Sequence, residues 1–283
     1  MAEILSFYSV AHSQGKRTLS LGFAELLAMN EHKVLYVELD YKKPSVAIST
    51  QITDVTRNAR EFFQDTILKR SFDLEPYILT KEILLNSENR DLRRVYAELP
   101  DKLDYLTLPM NFQESSFPSL INEGEDNEKE AQEYIDKFLY SLKTSKYTYI
   151  ILNLPIELHS IFGFEVIANS EQIINVVTPN ATRLFENKNA YKFLSSNIAH
   201  LEEKWSTILN MTSTELTANE YFQLTSEDAI LIPYDPARQQ SEFALQLSSV
   251  EIRERLEKLA AKLKISFESA IPKKRNGLFG RMG

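Results

Sequence analysis

The 283 residues contain no cysteine. Thiol nucleophiles, iron–sulfur clusters, thiolate zinc sites and disulfides are therefore excluded together. Histidine is scarce: His12, His32, His159 and His200 stand apart without an i, i+4 pair, which argues against a zinc site of ordinary spacing. Glycine is thin as well. Of 7 glycines, three sit at positions 277, 280 and 283, so any phosphate-binding loop has to work with little of it. No run approaches the ~18 apolar residues of a membrane span, and the opening Met1-Ala2-Glu3-Ile4-Leu5 lacks the charged start and long apolar stretch of a signal peptide. A cytoplasmic protein is the expectation. Excess positive charge is missing too: 32 Lys and Arg against 40 Asp and Glu give −8, which argues against extensive DNA binding over a broad face.

What remains is an ordinary folding composition, 43% hydrophobic and 25% charged. Short apolar, β-branched runs alternate with helical periodicities, the pattern of repeated βαβ units and a buried, mostly parallel sheet. Strands are predicted at 4–9, 33–39, 104–108, 147–154, 172–177 and 205–211, with a short seventh at 229–232. Lys16 to Met29 reads as a helix because Leu19, Phe23, Leu26 and Leu27 recur at helical spacing, with Asn30 as its stop. The stretch 56–99 reads as largely helical, with Phe62, Phe63, Ile67 and Leu68 on one face. Asn122 to Glu130 reads as an exposed acidic loop before a helix at 131–142. Ile252, Leu256, Leu259 and Leu263 mark an amphipathic surface helix. The expected fold class is thus α/β: a doubly wound, mostly parallel sheet of about seven strands with helices on both faces. One domain over 1–265 is expected, followed by a basic tail at 266–283.

Chemistry concentrates between the first strand and the first helix, in Phe7-Tyr8-Ser9-Val10-Ala11-His12-Ser13-Gln14-Gly15-Lys16-Arg17-Thr18. A phosphate loop belongs in that position, where backbone N–H groups and a helix N-terminus supply an anion site, a lysine reaches the phosphates and a hydroxyl holds Mg²⁺. Gly-Lys-Arg-Thr alone is a weak pattern, and by itself it reads more readily as a plain strand-to-helix turn with solvated Lys16 and Arg17.

Four segments taken in order resemble the deviant-Walker P-loop ATPases of the MinD and ParA superfamily. Gly15-Lys16 matches the Gly-Lys of the family's phosphate loop, and Val34-Leu35-Tyr36-Val37-Glu38-Leu39-Asp40 resembles its second strand. Tyr149-Ile150-Ile151-Leu152-Asn153-Leu154-Pro155 resembles the Walker B strand. Ile208-Leu209-Asn210 and Ile230-Leu231-Ile232-Pro233-Tyr234-Asp235 resemble the late strands that hold adenine. The likeness spans nearly the whole chain and is nearest to the TadZ and CpaE pilus-localisation group, although the chain starts at strand one with no room for a receiver-like domain. The resemblance implies a P-loop NTPase-like fold, with ATP or ADP and Mg²⁺ as cofactors. Gly15, Lys16, Arg17 and Thr18 would cradle phosphate, Thr18 would meet Mg²⁺, and Asn153 would stand in the metal's second shell. Asn210 and Pro233 would bracket adenine, and Asp40 would orient the attacking water.

The departures point away from turnover. Ala11 stands at the family's signature lysine, and His12 and Ser13 replace paired glycines. Arg17 occupies the position of the Mg²⁺-binding Thr, leaving Thr18 about 100° further round the helix. Asn153 is an amide where the family has a carboxylate. Phosphoryl transfer depends on positioned charge, so a pseudo-ATPase with little or no hydrolysis is expected. The simpler reading stays open for several of these residues: Asp40 and Glu38 can merely end a strand, Asn210 can be a satisfied polar residue, and the protein can hold no cofactor. The resemblance further implies protein partners in an envelope-associated machine of pilus, secretion or conjugation type. It also implies a homodimer and recruitment to the inner membrane face or a cell pole. Lys273, Lys274, Arg275 and Arg281 around Leu278 and Phe279 suit docking on an acidic partner or peripheral contact with an anionic membrane surface, and read as readily as a plain solvated end. An active, slowly hydrolysing, ATP-dependent dimerising switch is the alternative.

Overall fold

The computed structural model describes residues 1–213, 215–225 and 228–267. The basic segment 273–281 lies outside them. Seven strands form one sheet in the order β3-β2-β4-β1-β5-β6-β7, and every strand pair is parallel. They are β1 (Glu3–Tyr8), β2 (Val34–Glu38), β3 (Leu103–Leu106), β4 (Tyr149–Asn153), β5 (Gln172–Val177), β6 (Trp205–Thr212) and β7 (Ile230–Pro233). β2 and β4 are buried throughout, as expected for parallel strands covered on both faces.

One face is covered by α1 (Lys16–Met29), with short α2 (Ser45–Thr50) beside its start. The other carries α3 (Ala59–Lys69). A connection containing a 3₁₀ turn (Glu75–Tyr77) then leads to α4 (Lys81–Leu85) and α5 (Arg90–Ala97), followed after β3 by α6 (Glu125–Lys143) and after β4 by α7 (Phe164–Ala168). The chain continues through α8 (Ala181–Asn197), α9 (Leu201–Lys204), α10 (Ala218–Leu224), α11 (Ala237–Phe243) and α12 (Val250–Lys262). α12 closes over α1 through buried Ile252, Leu256 and Leu259. They approach closely: a Cβ added at Gly22 would lie 3.0 Å from Ser248 Cβ and 3.2 Å from Leu256 Cδ1.

Three expectations are corrected. The stretch 56–99 is helical only in pieces. Arg70 turns left-handed (φ 54°) to end α3, and Thr80 and Asn89 cap α4 and α5 through their side chains. Leu68 is 61% exposed, because it sits one residue, about 100°, round the helix from buried Ile67. The acidic segment before 131 is not a loop beyond Gly124. α6 starts at Glu125, and its first-turn acids Glu125, Asp126 and Glu128 suit the positive end of a helix. Glu130 is buried there, 2.9 Å from Arg70 and accepting from the Asn122 amide at 2.7 Å.

On the α3 and α6 face, Phe162 sits among aromatic rings, 4.8 Å from Phe63, 5.7 Å from Phe117 and 6.0 Å from Phe138 between centroids. Tyr41, just past β2, joins this cluster by stacking on Phe117 at 4.5 Å, so the aromatic core also holds the chain that follows Asp40. Phe162→Ala should cost about 3 to 5 kcal/mol of stability. Urea unfolding checks this, and a loss below about 1 kcal/mol would contradict the role given to the cluster.

Candidate nucleotide site

The carboxyl ends of β1, β2 and β4 meet at a cleft of about 460 Å³ lined by the whole loop from Ala11 to Thr18, together with Asp40, Asn153, Met211 and Arg238. Ligands of open α/β sheets bind at such strand ends. Two residues of the loop take left-handed backbone, Ser13 at φ 61° and Gly15 at φ 89°. At Gly15 a side chain has no space, since a Cβ there would collide with the amide of Asn210. Gln14 ties the loop down: its Oε1 accepts from the Thr178 amide and hydroxyl at 2.8 Å each. α1 then begins with no side-chain cap and no acid in its first turn, which leaves its positive end facing the cleft.

Lys16 is 6% exposed. Its ammonium donates to Asp40 Oδ2 at 3.1 Å and to the Leu154 carbonyl. Burial pushes its pKa below the ordinary lysine value, and Asp40 pulls it back up. Arg17 also lines the cleft, donating to the Ser45 carbonyl at 3.2 Å and pairing with Glu242 at 2.6 Å. Thr18 lines the cleft. Asn153 is 1% exposed and its Oδ1 has no donor, and Asp40 Oδ1 is likewise buried and unpartnered. Asn210 sits behind the loop, where its Nδ2 donates to the Gln14 carbonyl at 2.8 Å. It braces Gly15 and lies off the cleft wall, as does half-buried Pro233 at the end of β7. The cleft therefore gathers Gly15, Lys16, Arg17, Thr18, Asp40 and Asn153, while Asn210 and Pro233 stand outside its lining.

Sequence reasoning did not find Met211, Arg238 and Glu242. Met211 reaches the cleft through a register shift between Asn210 and Thr212, with φ 59° at Met211, and a bulge of this kind leaves no residue signature. Arg238 follows Pro233-Tyr234-Asp235 by three residues and was legible only as a surface charge.

A nucleotide's phosphates fit this cleft, because a turn with no side chain at Gly15, uncapped helix amides and a buried lysine converge on it. The residues that would hold Mg²⁺ here are Thr18, which lines the cleft, and Asn153 and Asp40, whose Oδ1 atoms are buried and free to accept from water.

No protein-family model and no curated protein sequence matches the chain. Solved structures do. A plasmid partition protein of Borrelia burgdorferi B31 bound to AMPPNP superposes with a TM-score of 0.66 at 17% identity, covering 93% of this chain and 99% of that one. The septum site-determining protein MinD of Pyrococcus horikoshii OT3, complexed with Mg-ADP, gives 0.63 at 16%, covering 93% and 98%. MinD in the MinC:MinD complex of Aquifex aeolicus gives 0.62 at 15%, covering 92% and 96%. This chain has the fold of the ParA and MinD ATPases. At such identities the likeness is one of fold.

Glu38, fully buried at the end of β2, accepts from the Ser45 hydroxyl at 2.9 Å and from the Val46 and Leu108 amides. Burial nevertheless pushes its pKa from 4.5 up to about 7. Between those values the folded chain holds more protons than the unfolded one, so Glu38 lowers stability as pH rises through that window. Glu38→Gln should remove about 2 to 3 kcal/mol of the fall in unfolding free energy between pH 5 and pH 8. Equal pH slopes in the two proteins would contradict this environment.

Proposed function

We propose that this protein binds nucleotide at the 11–18 loop, hydrolyses it slowly or not at all, and works by association. It would act as a scaffold or positioning factor for a bacterial envelope machine of pilus, secretion or conjugation type. The observation that carries the reading is the cleft itself, an uncapped helix start behind a turn that admits no side chain at Gly15, with Lys16 buried in it. ATP or ADP is the ligand class. Bound Mg²⁺ would neutralise phosphate charge.

Weak turnover is supported by three residues in separate elements. Ala11 offers no charge, Arg17 spends its guanidinium on Glu242 and Ser45, and Asn153 brings an amide in place of a carboxylate. The switch reading keeps one point in its favour, since the free oxygens of Asp40 and Asn153 can accept from water. Association is supported by apolar side chains left exposed near the cleft. Ile48 on α2 and Phe243 on α11, two helices in contact, are 56% and 82% exposed, and Met211 at the cleft is 42% exposed. A homodimer using this face, with no charge from residue 11 to reach a neighbour's phosphate, would form equally with and without ATP. The Aquifex MinD is seen with MinC, and a protein partner is proposed here too. Recruitment to the membrane or pole belongs to the same reading.

Isothermal titration should show ATP or ADP binding that Lys16→Ala weakens about tenfold or more. Phosphate release should stay at background. A turnover of about 1 per minute that disappears in Lys16→Ala would establish the switch reading instead. Sedimentation should give the same monomer–dimer distribution in both nucleotide conditions, and a dimer that appears only with ATP would overturn nucleotide-independent association.

A further inference from the structure

Arg238 lies in α11, the helix after β7, and lines the cleft that holds Gly15 and Lys16. Its Nη1 donates to the Gln246 carbonyl at 3.2 Å, which anchors one corner of the guanidinium. Its Nε and Nη2, the adjacent pair along one edge of the plane, are buried without an acceptor. Unused buried donors on a half-buried cation are costly, so such an edge calls for an anion. The acids around it are committed elsewhere. Glu242 pairs with Arg17, Asp235 accepts from the Ser249 hydroxyl and the Ala237 amide, and Glu25 accepts from the Ser248 hydroxyl. Burial lowers the Arg238 pKa from its ordinary value and Arg17 lowers it further, against the opposing pull of Glu242, Asp235 and Glu25. Asn153, 1% exposed with a free Oδ1, and Arg17 with a free Nε lie along the same cleft.

The geometry points to Arg238 as a phosphate-binding residue whose Nε and Nη2 edge grips two oxygens of a nucleotide's β-phosphate. This rests on the nucleotide reading and goes beyond it by naming where the missing charge comes from. Ala11 contributes none, Lys16 is shared with Asp40, and Arg17 is shared with Glu242. Arg238 supplies a fork from within the same chain, and two parallel N–H donors match phosphate in a way that an ammonium does not.

The test uses the full chain with mant-ADP, mant-AMP and inorganic pyrophosphate, each in Mg²⁺ and in EDTA. Arg238→Met should weaken mant-ADP about 30-fold, a typical loss for a charge-assisted bidentate contact. It should leave mant-AMP within about threefold, so that the preference for the diphosphate collapses. Arg238→Lys should recover part of the loss. A merely structural role would weaken both nucleotides alike and overturns the assignment, as does an Arg238→Met protein that binds mant-ADP like the wild type, in which case the nucleotide reading stands. If pyrophosphate binds through Arg238 while mant-ADP does not bind, the residue's role holds and the nucleotide reading falls. Wild-type protein that binds none of the three probes overturns both. Circular dichroism on each variant confirms that the comparison is between folded proteins.

Discussion

The contact between Lys16 and Asp40 joins three strand ends in one place. Lys16 enters from the loop after β1, Asp40 follows β2, and the Leu154 carbonyl that also accepts from the ammonium follows β4. A lysine this buried cannot be left alone, because an unpaired ammonium away from water costs several kcal/mol. Asp40 and a main-chain carbonyl hold it, and the cleft takes its shape around that arrangement. Any phosphate arriving at the loop has to compete with Asp40 for the same ammonium or share it. A ligand displaces the pair only as far as its own contacts with the helix amides and the neighbouring cations outweigh it.

That constraint accounts for how charge is distributed around the cleft. Each acid at its edge is already matched to a cation or a backbone amide: Asp40 to Lys16, Glu242 to Arg17, Glu38 to the amides that open α2 and follow β3. Among the described residues, the buried polar atoms at the cleft without partners are Asn153 Oδ1, Asp40 Oδ1, Arg17 Nε and the Nε and Nη2 of Arg238. The free guanidinium donors suit an anion, and the two free oxygens suit a water or a cation beside it.

Much of the sheet was legible in the sequence because parallel strands buried on both faces must be continuous apolar runs. The strand at 172–177 and the helix at 16–29 were placed to the residue. Helices without an apolar stripe were not legible. α8 buries only Leu194 along its length, so periodicity had nothing to register, and α6 began six residues early because its first turn is acidic. At the site, the loop residues could be named in advance since they are consecutive. Met211, Arg238 and Glu242 could not, because a strand bulge and the packing of α11 beside α2 bring them in from far along the chain. Asn210 was legible as a strand-end amide, and its use against the Gln14 carbonyl depends on a left-handed turn at Gly15 that only the folded chain reveals.

If the segment from Ala11 to Thr18 cradles phosphate, amide hydrogen exchange along it responds to nucleotide and can be followed with and without saturating ADP. Amides from Gly15 to Leu19 should exchange about tenfold or more slowly with ADP, while those in the cores of β1 and β4 keep their rates. Unchanged exchange through the loop at millimolar ADP would contradict the account.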